Sequence, residues 1–384
     1  MKNNPQFSYW EKSLMPSECD VCIVGGGFTG AWTAHYLSQM APGLKIVILE
    51  NQIASRGAST RNAGFLCYGS PSEVLEDLEN MGTEKTRELL LMRYSGLQQI
   101  KNTVPASAAQ ISWDGGCEIF IPDNPKLYER VMEQLQEINR LIESTTGQRP
   151  YTPLPTNQLP GGEKNRSKGI AIQGEGQIQP AKLLAYINNL NTSRGVSLCE
   201  GTAVNSIQNE GDHCVINTNR SLQIKCNKVL IATNGFFNRL YPGSNEVVPA
   251  RNTVLLLKTP EKLTLKGNYH AERGYIYFRS VDGMLLIGGG RHWLAEKEKG
   301  DEMRVNEELK SRLTNWAKEN LFNLDTQLEE IMSWSGIIGT GSEKYPLLEW
   351  KDKNVLTAVR LSGMGVALSP VIARKAAAML LKKR

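Results

Sequence analysis

Long apolar runs are missing from this sequence: none approaches the roughly 18 residues that a membrane-spanning helix needs. No membrane partner is therefore expected. The first residues, Met-Lys-Asn-Asn-Pro-Gln, are polar and carry no apolar centre of a secretory leader. Histidine is scarce, with four in 384 residues, and no Gly-x-Ser-x-Gly occurs, so a Ser-His-Asp hydrolase finds little support. Cysteine is not dense either. The seven (Cys19, Cys22, Cys67, Cys117, Cys199, Cys214, Cys226) are an odd number scattered along the chain, unlike the disulfide framework of a small secreted domain. Cys19 and Cys22 have CxxC spacing, but no second pair and no neighbouring His completes a zinc set, so no metal is expected. A reducing, cytoplasmic setting fits these absences. Charge of one sign is also lacking, since 44 Lys and Arg are interleaved with 39 Asp and Glu for a net +5, and nucleic acid is not implied. The small basic end at Lys382, Lys383 and Arg384 reads as a solvated tail. Neither internal repeats nor low-complexity tracts are present.

What remains is an ordinary globular balance, 40% hydrophobic and 22% charged, in a chain longer than one core usually fills, so two structural units are expected. Asp20 to Val24 reads as a short apolar strand, Ala31 to Met40 as a helix and Leu44 to Leu49 as a second strand, which together make one βαβ unit. The stretch from Asn51 to Gly64 reads as a loop. Helical periodicity covers Pro71 to Val104 and Pro125 to Ser144, the latter with Leu127, Val131, Leu135, Ile138 and Ile142 on one face. Tyr151 to Lys168, rich in Pro, Gly, Asn and Lys, reads as an exposed connection between units. Pro180 opens a helix, and strand-like runs follow from Gly201 to Ile287, enough for an antiparallel sheet. Further helices are expected at Asp301 to Phe322 and, after a strand at Val355 to Val359 and a glycine turn, at Pro370 to Lys382.

The chemistry is concentrated at Gly25-Gly26-Gly27-Phe28-Thr29-Gly30. A lone GxGxxG is weak, but this one follows a strand, opens a helix, and is followed by a second strand ending in Glu50, twenty residues after Gly30. Gly25 permits the tight turn, Gly27 lets backbone approach a pyrophosphate, and Gly30 allows close helix-to-strand packing. The helix N-terminus offers free N–H groups to the phosphates, while Glu50 suits a ribose hydroxyl pair and repels a 2′-phosphate. The fingerprint alone does not separate NAD from FAD. The loop Gly57-Ala58-Ser59-Thr60-Arg61-Asn62-Ala63-Gly64-Phe65, with its small, hydroxyl and amide side chains, suits a phosphate and a flat ring; an ordinary surface loop is the alternative. Gly363-Met364-Gly365-Val366-Ala367 lies between a strand and a helix and offers a second set of helix-terminal N–H groups, suited to the pyrimidine side of a flavin.

On these residues the chain resembles the D-amino-acid oxidase (DAO) family of FAD-dependent oxidoreductases, which includes glycine and sarcosine oxidases. The likeness extends through Gly176 to Ala181, Ala232 to Gly235, Tyr277 to Gly290 and Trp334 to Pro346. Ser8-Tyr9-Trp10 and the Gly57 to Gly64 loop are most similar to its gamma-glutamylputrescine oxidase branch. The resemblance implies an α/β fold, with a Rossmann-like FAD-binding domain of the GR2 type and an interleaved α+β substrate domain on an antiparallel sheet. The FAD domain is expected at residues 1–90, 170–245 and 335–384, and the substrate domain at 91–169 and 246–334. It further implies that Asn51 and Gln52 beside Glu50, Ala203 and Val204, Ala232, Thr233, Asn234 and Gly235, and Gly363 to Ala367 line a non-covalent FAD.

The resemblance also implies a reaction: a neutral amine or amino acid gives a hydride to flavin N5, the imine hydrolyses, and electrons pass to O2 or another acceptor. Departures limit the substrate. An Arg that holds the substrate carboxylate in glycine and D-amino-acid oxidases is replaced here by Ile338, after Trp334-Ser335-Gly336-Ile337. The oxygen-activating Lys and flavin-linking Cys of sarcosine oxidases fall at Leu286 and near Gly336. Arg279 and Arg291 are candidate replacements for the carboxylate anchor, with a structural ion pair as the alternative; Tyr68 and Tyr277 are candidate pocket aromatics, with core packing as theirs. Gly288-Gly289-Gly290 is the only candidate for a second nucleotide fingerprint, and it fails because Arg291, His292 and Trp293 follow. Competing readings are a flavin monooxygenase fed by NAD(P)H, although its terminal Gly-Asp motif is missing, and a flavin-bound sensor that has lost catalysis.

Overall fold

The apolar run at Asp20 becomes the centre of a parallel sheet in the computed structural model, which describes residues 8–10, 16–53, 57–122, 124–160 and 167–382. The chain divides into two compact units, Met1–Thr60 with Ala181–Pro249 and Ile338–Arg384, and Arg61–Pro180 with Ala250–Ile337. Residues 61–90, expected with the nucleotide domain, cluster with the second unit.

In the first unit the sheet order is Leu347–Trp350, Val355–Val359, Gln223–Ile231, Glu18–Val24, Ile46–Leu49 and Ser197–Cys199. All neighbours are parallel except the Leu347–Trp350 edge, and an antiparallel hairpin of Val204–Asn209 and Cys214–Thr218 joins the Gln223–Ile231 strand. A strand with neighbours on both sides and a covered sheet face needs apolar residues at consecutive positions, and Val21 to Val24 are all buried. The helix Phe28–Met40 starts three residues before its expected position. Its first ten residues are all buried, so it carries no polar face from which a boundary could be read. It packs with the closing helix Gly365–Leu381, which begins five residues before Pro370 and carries that proline inside. Cys19, Cys22, Cys214 and Cys226 fill the core beside this sheet as free thiols.

The second unit is built on a sheet in the order Glu329–Thr340, Val248–Lys258, Met284–Gly289, Ile276–Val281, Asn268–Ala271, Gly116–Phe120, Lys168–Ile172 and Tyr151–Leu154. It is not purely antiparallel, because Asn268–Ala271 runs parallel to Gly116–Phe120. One face packs Ile276, Phe278, Leu285 and Ile287 against Leu309, Leu313 and Trp316 of the helix Glu307–Leu321.

Several expectations are corrected. The stretch from Tyr151 is not a connection: Tyr151–Leu154 is an edge strand paired with Lys168–Ile172, and buried Tyr151 donates its hydroxyl to the Gly69 carbonyl (2.6 Å). Pro153 fits there because an edge strand tolerates a missing N–H. Residues 161–166 of that stretch, like Lys383 and Arg384, lie outside the described residues. The single helix expected over Pro71 to Val104 is two, Pro71–Met81 and Thr83–Thr103, divided at Gly82 with φ +77°. The loop after Glu50 contains a helical turn, Ala58–Arg61.

Candidate cofactor and substrate site

The first unit's sheet reverses its order at Glu18–Val24: the chain proceeds to Ile46–Leu49 on one side, and Gln223–Ile231 lies on the other. Ligands of open parallel sheets bind beyond the carboxyl ends of the strands at such a switch. The glycine turn stands there. Gly25 has φ +109°, and a Cβ on it would lie 2.8 Å from the Ala232 carbonyl oxygen, at the end of the neighbouring strand. A Cβ on Gly30 would lie 2.0 Å from the Gly25 carbonyl oxygen and 3.1 Å from Ile23 Cγ2, so helix and strand approach only because nothing is there. The Gly27 N-cap has no side chain to satisfy the helix N–H groups. The Ser59 hydroxyl instead accepts from Phe28 N (2.8 Å), and a Cβ on Gly27 would meet that same hydroxyl oxygen at 2.8 Å. The space over the helix N-terminus thus holds an acceptor oxygen and tolerates no bulk. That is what a pyrophosphate requires, and the cradle fits it.

Glu50 is turned toward the same turn. It accepts from Gly26 N (2.8 Å) through one carboxylate oxygen and from Gln52 N (2.9 Å) through the other. This fixes the carboxylate beside the glycine turn. Asn51 is exposed at the strand end, and Glu50 accepts backbone hydrogen bonds on its carbonyl from Thr202 N (2.7 Å), next to Ala203 and Val204. Ala203 N donates to the Asn219 side chain (2.9 Å). Thr29 lies buried in the first helical turn.

Beyond the Gln223–Ile231 strand, Ala232 and Thr233 lead into a short 3-10 turn, Asn234–Arg239, which includes Gly235. Asn234 holds φ +46°, and its side-chain oxygen accepts from Arg360 N (3.1 Å) and Leu361 N (3.3 Å). Arg360, Ser362 and Gly363 also have positive φ, so the turn before Met364 and Gly365 is tightly wound. It delivers the first N–H groups of the Gly365–Leu381 helix, where Val366 and Ala367 sit. Ile338 is buried and lies 3.9 Å from where a Gly363 Cβ would be. The position at which the resemblance to glycine and D-amino-acid oxidases implies a carboxylate-binding Arg thus carries an apolar side chain packed at this turn.

In the second unit, Arg61 donates to the Ser335 carbonyl (2.8 Å) while the Trp334 indole donates to the Arg61 carbonyl (3.0 Å). Asn62 caps the next turn by accepting from Gly64 N (2.8 Å). Gly64, at φ +75°, leaves room for the Ile178 carbonyl, which a Cβ would meet at 2.3 Å. Ala63 and Phe65 are buried, and the Phe65 ring meets Tyr277 edge-on with centroids 5.8 Å apart.

The pocket candidates separate by what they already hold. Tyr68 is buried with its hydroxyl donated to the Gln173 carbonyl, so it is a core tyrosine. Arg279 donates to the Ile178 carbonyl (3.0 Å) and to Gln177 Oε1 (3.2 Å), and burial pulls its guanidinium down to about 10. It braces the Gly64 loop. Tyr277 shares the strand face with Arg279, faces Gly288 on the neighbouring strand, and makes no hydrogen bond through its hydroxyl among the described residues. Arg291 lies over the Tyr275 ring, 5.3 Å from its centroid. Tyr275 was missed from the sequence. The two-residue spacing of Tyr275, Tyr277 and Arg279 was the available signal, although Tyr275 lies in the turn before the strand Ile276–Val281. Also missed was the buried pair beneath Phe65, His270 with Glu175 (2.9 Å). Burial pushes the His270 imidazole down, but the Glu175 charge and hydrogen bond outweigh it and leave it raised.

Gly288-Gly289-Gly290 has a packing role. A Cβ on Gly288 would meet the Tyr277 ring at 2.6 Å, and one on Gly289 would meet the Tyr275 carbonyl oxygen at 1.9 Å. Gly288 and Gly289 end a strand, and Gly290 opens only a four-residue 3-10 turn, Arg291–Leu294.

Comparison with known proteins agrees with the cradle. The FAD dependent oxidoreductase family, DAO, matches residues 20–379. A probable oxidoreductase OrdL of Rhizobium meliloti (strain 1021) is 26% identical over 390 residues, covering 95% of this chain and 86% of that protein. The gamma-glutamylputrescine oxidoreductase of Escherichia coli (strain K12) is 27% identical over 71% of this chain and 64% of its own length. Among solved structures, glycine oxidase from Geobacillus kaustophilus superposes with a TM-score of 0.75 at 21% identity, covering 96% of each chain. The cradle at the sheet's switch point and a family match over nearly the whole length meet in one conclusion: this chain belongs to the DAO family of FAD-dependent oxidoreductases.

Proposed function

We propose that the chain oxidises the C–N bond of an amine or amino acid, with FAD held non-covalently on a GR2-type nucleotide domain formed by the first unit, and with the second unit as substrate domain. The observation that carries this reading is the packing of Gly288 against the Tyr277 ring and of Gly289 against the Tyr275 carbonyl. The one candidate for a nicotinamide-nucleotide site is used up inside a sheet, so the electrons are drawn from an organic substrate. The names of the relatives support the class, since one acts on gamma-glutamylputrescine and one on glycine.

Gly25, Gly27, Phe28, Thr29 and Gly30 would hold the pyrophosphate, at the helix start where Phe28 N donates to Ser59. Glu50, flanked by Asn51 and Gln52, takes the ribose, and Ala203 and Val204 take the adenosine side. On the first unit Gly57, Ala58, Ala232 to Gly235, and Gly363 to Ala367 would line the remainder; Arg61, Asn62, Ala63, Gly64 and Phe65 are the second unit's candidates. When bound, FAD supplies the hydride acceptor for the carbon that bears the nitrogen, and the resulting imine hydrolyses. The protein orients and dries the substrate. Phe65 and Tyr277 exclude water, and burial holds the Tyr277 phenol above its usual range, so at Oη it donates a hydrogen bond and does not act as a base at neutral pH. Leu286, an apolar side chain at the sarcosine oxidases' lysine position, leaves O2 or another acceptor as the final oxidant.

The test is anaerobic mixing of purified protein with panels of amines and amino acids while the flavin band is followed. Bleaching by at least one of them is expected. Bleaching by NADPH and by no amine overturns the reading in favour of a monooxygenase.

A further inference from the structure

The sheet face opposite Tyr277 and Arg279 carries aromatic residues of its own. Side chains alternate along the strand Ile276–Val281, and Ile276 and Phe278 pack under the helix Glu307–Leu321. Beside them a cavity of about 320 Å³ opens between that helix and the turn Arg291–Leu294, lined by Trp293, Arg312, Asn315, Trp316 and Glu319. The four helical residues are spaced i, i+3, i+4 and i+7, so they share one helix face. Trp293 is pressed onto the turn, where a Cβ on Gly290 would meet its ring at 2.9 Å. One carboxylate aims both indoles. Glu272 accepts from Trp316 Nε1 (2.8 Å) through one oxygen and from Trp293 Nε1 (3.1 Å) through the other, which also lies 2.7 Å from His292 Nε2. With each N–H given to Glu272, the rings line the cavity with carbon. Hydrogen bonding to an anion also makes them more electron-rich, which strengthens their attraction for a cation. The charges at the rim are unequal in their commitments. Arg312 donates to Glu308 (2.8 Å), whereas Glu319 has no ion-pair partner among the described residues. Aromatic carbon beside an uncompensated carboxylate suits an organic cation, and the volume is at the lower end of the range usual for small-molecule sites.

We infer that this cavity is a second ligand site that takes an organic ammonium group, its charge set against Trp293 and Trp316 and facing Glu319. The site lies wholly within the second unit and does not rest on the amine-oxidising reading. Choline is titrated calorimetrically into the flavin-loaded enzyme beside dimethylbutanol, its isostere with carbon in place of the charged nitrogen. Choline should bind and the isostere should bind at least several-fold more weakly. Trp293→Leu should weaken choline by roughly 5- to 30-fold, the range for losing a partly desolvated cation–ring contact. Trp293→Phe gives up the same indole N–H but keeps a ring, so it should lose less, which a merely structural role for Trp293 would not predict. Glu319→Gln, on the exposed side of the helix, should cost about 2- to 5-fold, as for an exposed ion pair, and Glu319→Lys more. The Glu319 variants carry the comparison if Trp293→Leu does not fold. Equal binding of choline and the isostere reduces the cavity to an apolar groove and overturns the inference. So does the absence of choline binding by wild type, or choline affinity unchanged in Glu319→Lys, which would put the bound cation elsewhere.

Discussion

Replacing Gly30 by alanine tests whether the nucleotide turn exists because the helix presses on the strand. The added methyl would start 2.0 Å from the Gly25 carbonyl oxygen, where contacts below 3.4 Å are already tight, so about 1.4 Å of separation must be found. Neither neighbour yields easily. Gly25 is fixed in a positive-φ turn against Ala232, and Ile23 is fully buried in the central strand. Overpacking of a dense core costs about 1–3 kcal/mol, and a clash with backbone belongs at or beyond the upper end of that range. At about 2–4 °C per kcal/mol for a folding unit of this size, the loss is roughly 6–12 °C in the melting temperature. Gly57→Ala is the matched control for the fold, because among the described residues a Cβ there meets nothing within 4 Å and its φ is not positive. Thermal melts of purified protein, read by circular dichroism, check both variants. If Gly30→Ala melts within about a degree of wild type while Gly57→Ala does the same, the close-packing account of the third glycine is refuted.

Three further outcomes are expected. Asn234→Ala takes the acceptor from Arg360 N and Leu361 N, so flavin release should shift by about 1–3 kcal/mol in a urea titration, and an unchanged midpoint would count against this turn as a support of the cofactor site. Arg93, buried between Glu73 (3.2 Å) and Asp77 (3.5 Å), is a cation whose removal leaves charge behind; Arg93→Met should cost about 3–5 kcal/mol in a urea melt at neutral pH, and a loss below about 1 kcal/mol would count against this reading. Glu118 is pushed up to about 7 by burial, against the hydrogen bonds from Ser72. Its folded form therefore holds a proton that the unfolded chain releases near 4.5, and stability falls as pH rises from about 4.5 to 7, by on the order of 3 kcal/mol. The raised His270 adds in the same direction, since its contribution is lost as pH rises through its folded value. Glu118→Gln should flatten this slope in urea melts taken at pH 5 and pH 8, and an unaltered slope would falsify the assignment.

The nucleotide cradle was legible because its requirements are local. A strand, a turn that needs Gly25, a helix pressed on at Gly30 and an acid twenty residues later are all set by neighbours along the chain, and backbone sterics allow few other residues there. Helix boundaries were less legible where a helix is buried all round, as at Phe28–Met40, or where one positive-φ glycine divides two periodic stretches, as at Gly82. Tyr151–Leu154 reads as a loop by composition and is a strand because Lys168–Ile172 lies beside it, a pairing that no local pattern carries. The pocket was decided by tertiary structure alone. Tyr68 and Tyr277, or Arg279 and Arg291, are alike as letters; what separates them is which hydrogen bonds the fold has already filled. Tyr68 and Arg279 are spent on the carbonyls of Gln173 and Ile178, residues about a hundred positions away, while Tyr277 and Arg291 keep their donors. The sequence alone thus determined the nucleotide cradle, through short-range geometry, and only the tertiary structure decided which side chains remain free to meet a substrate.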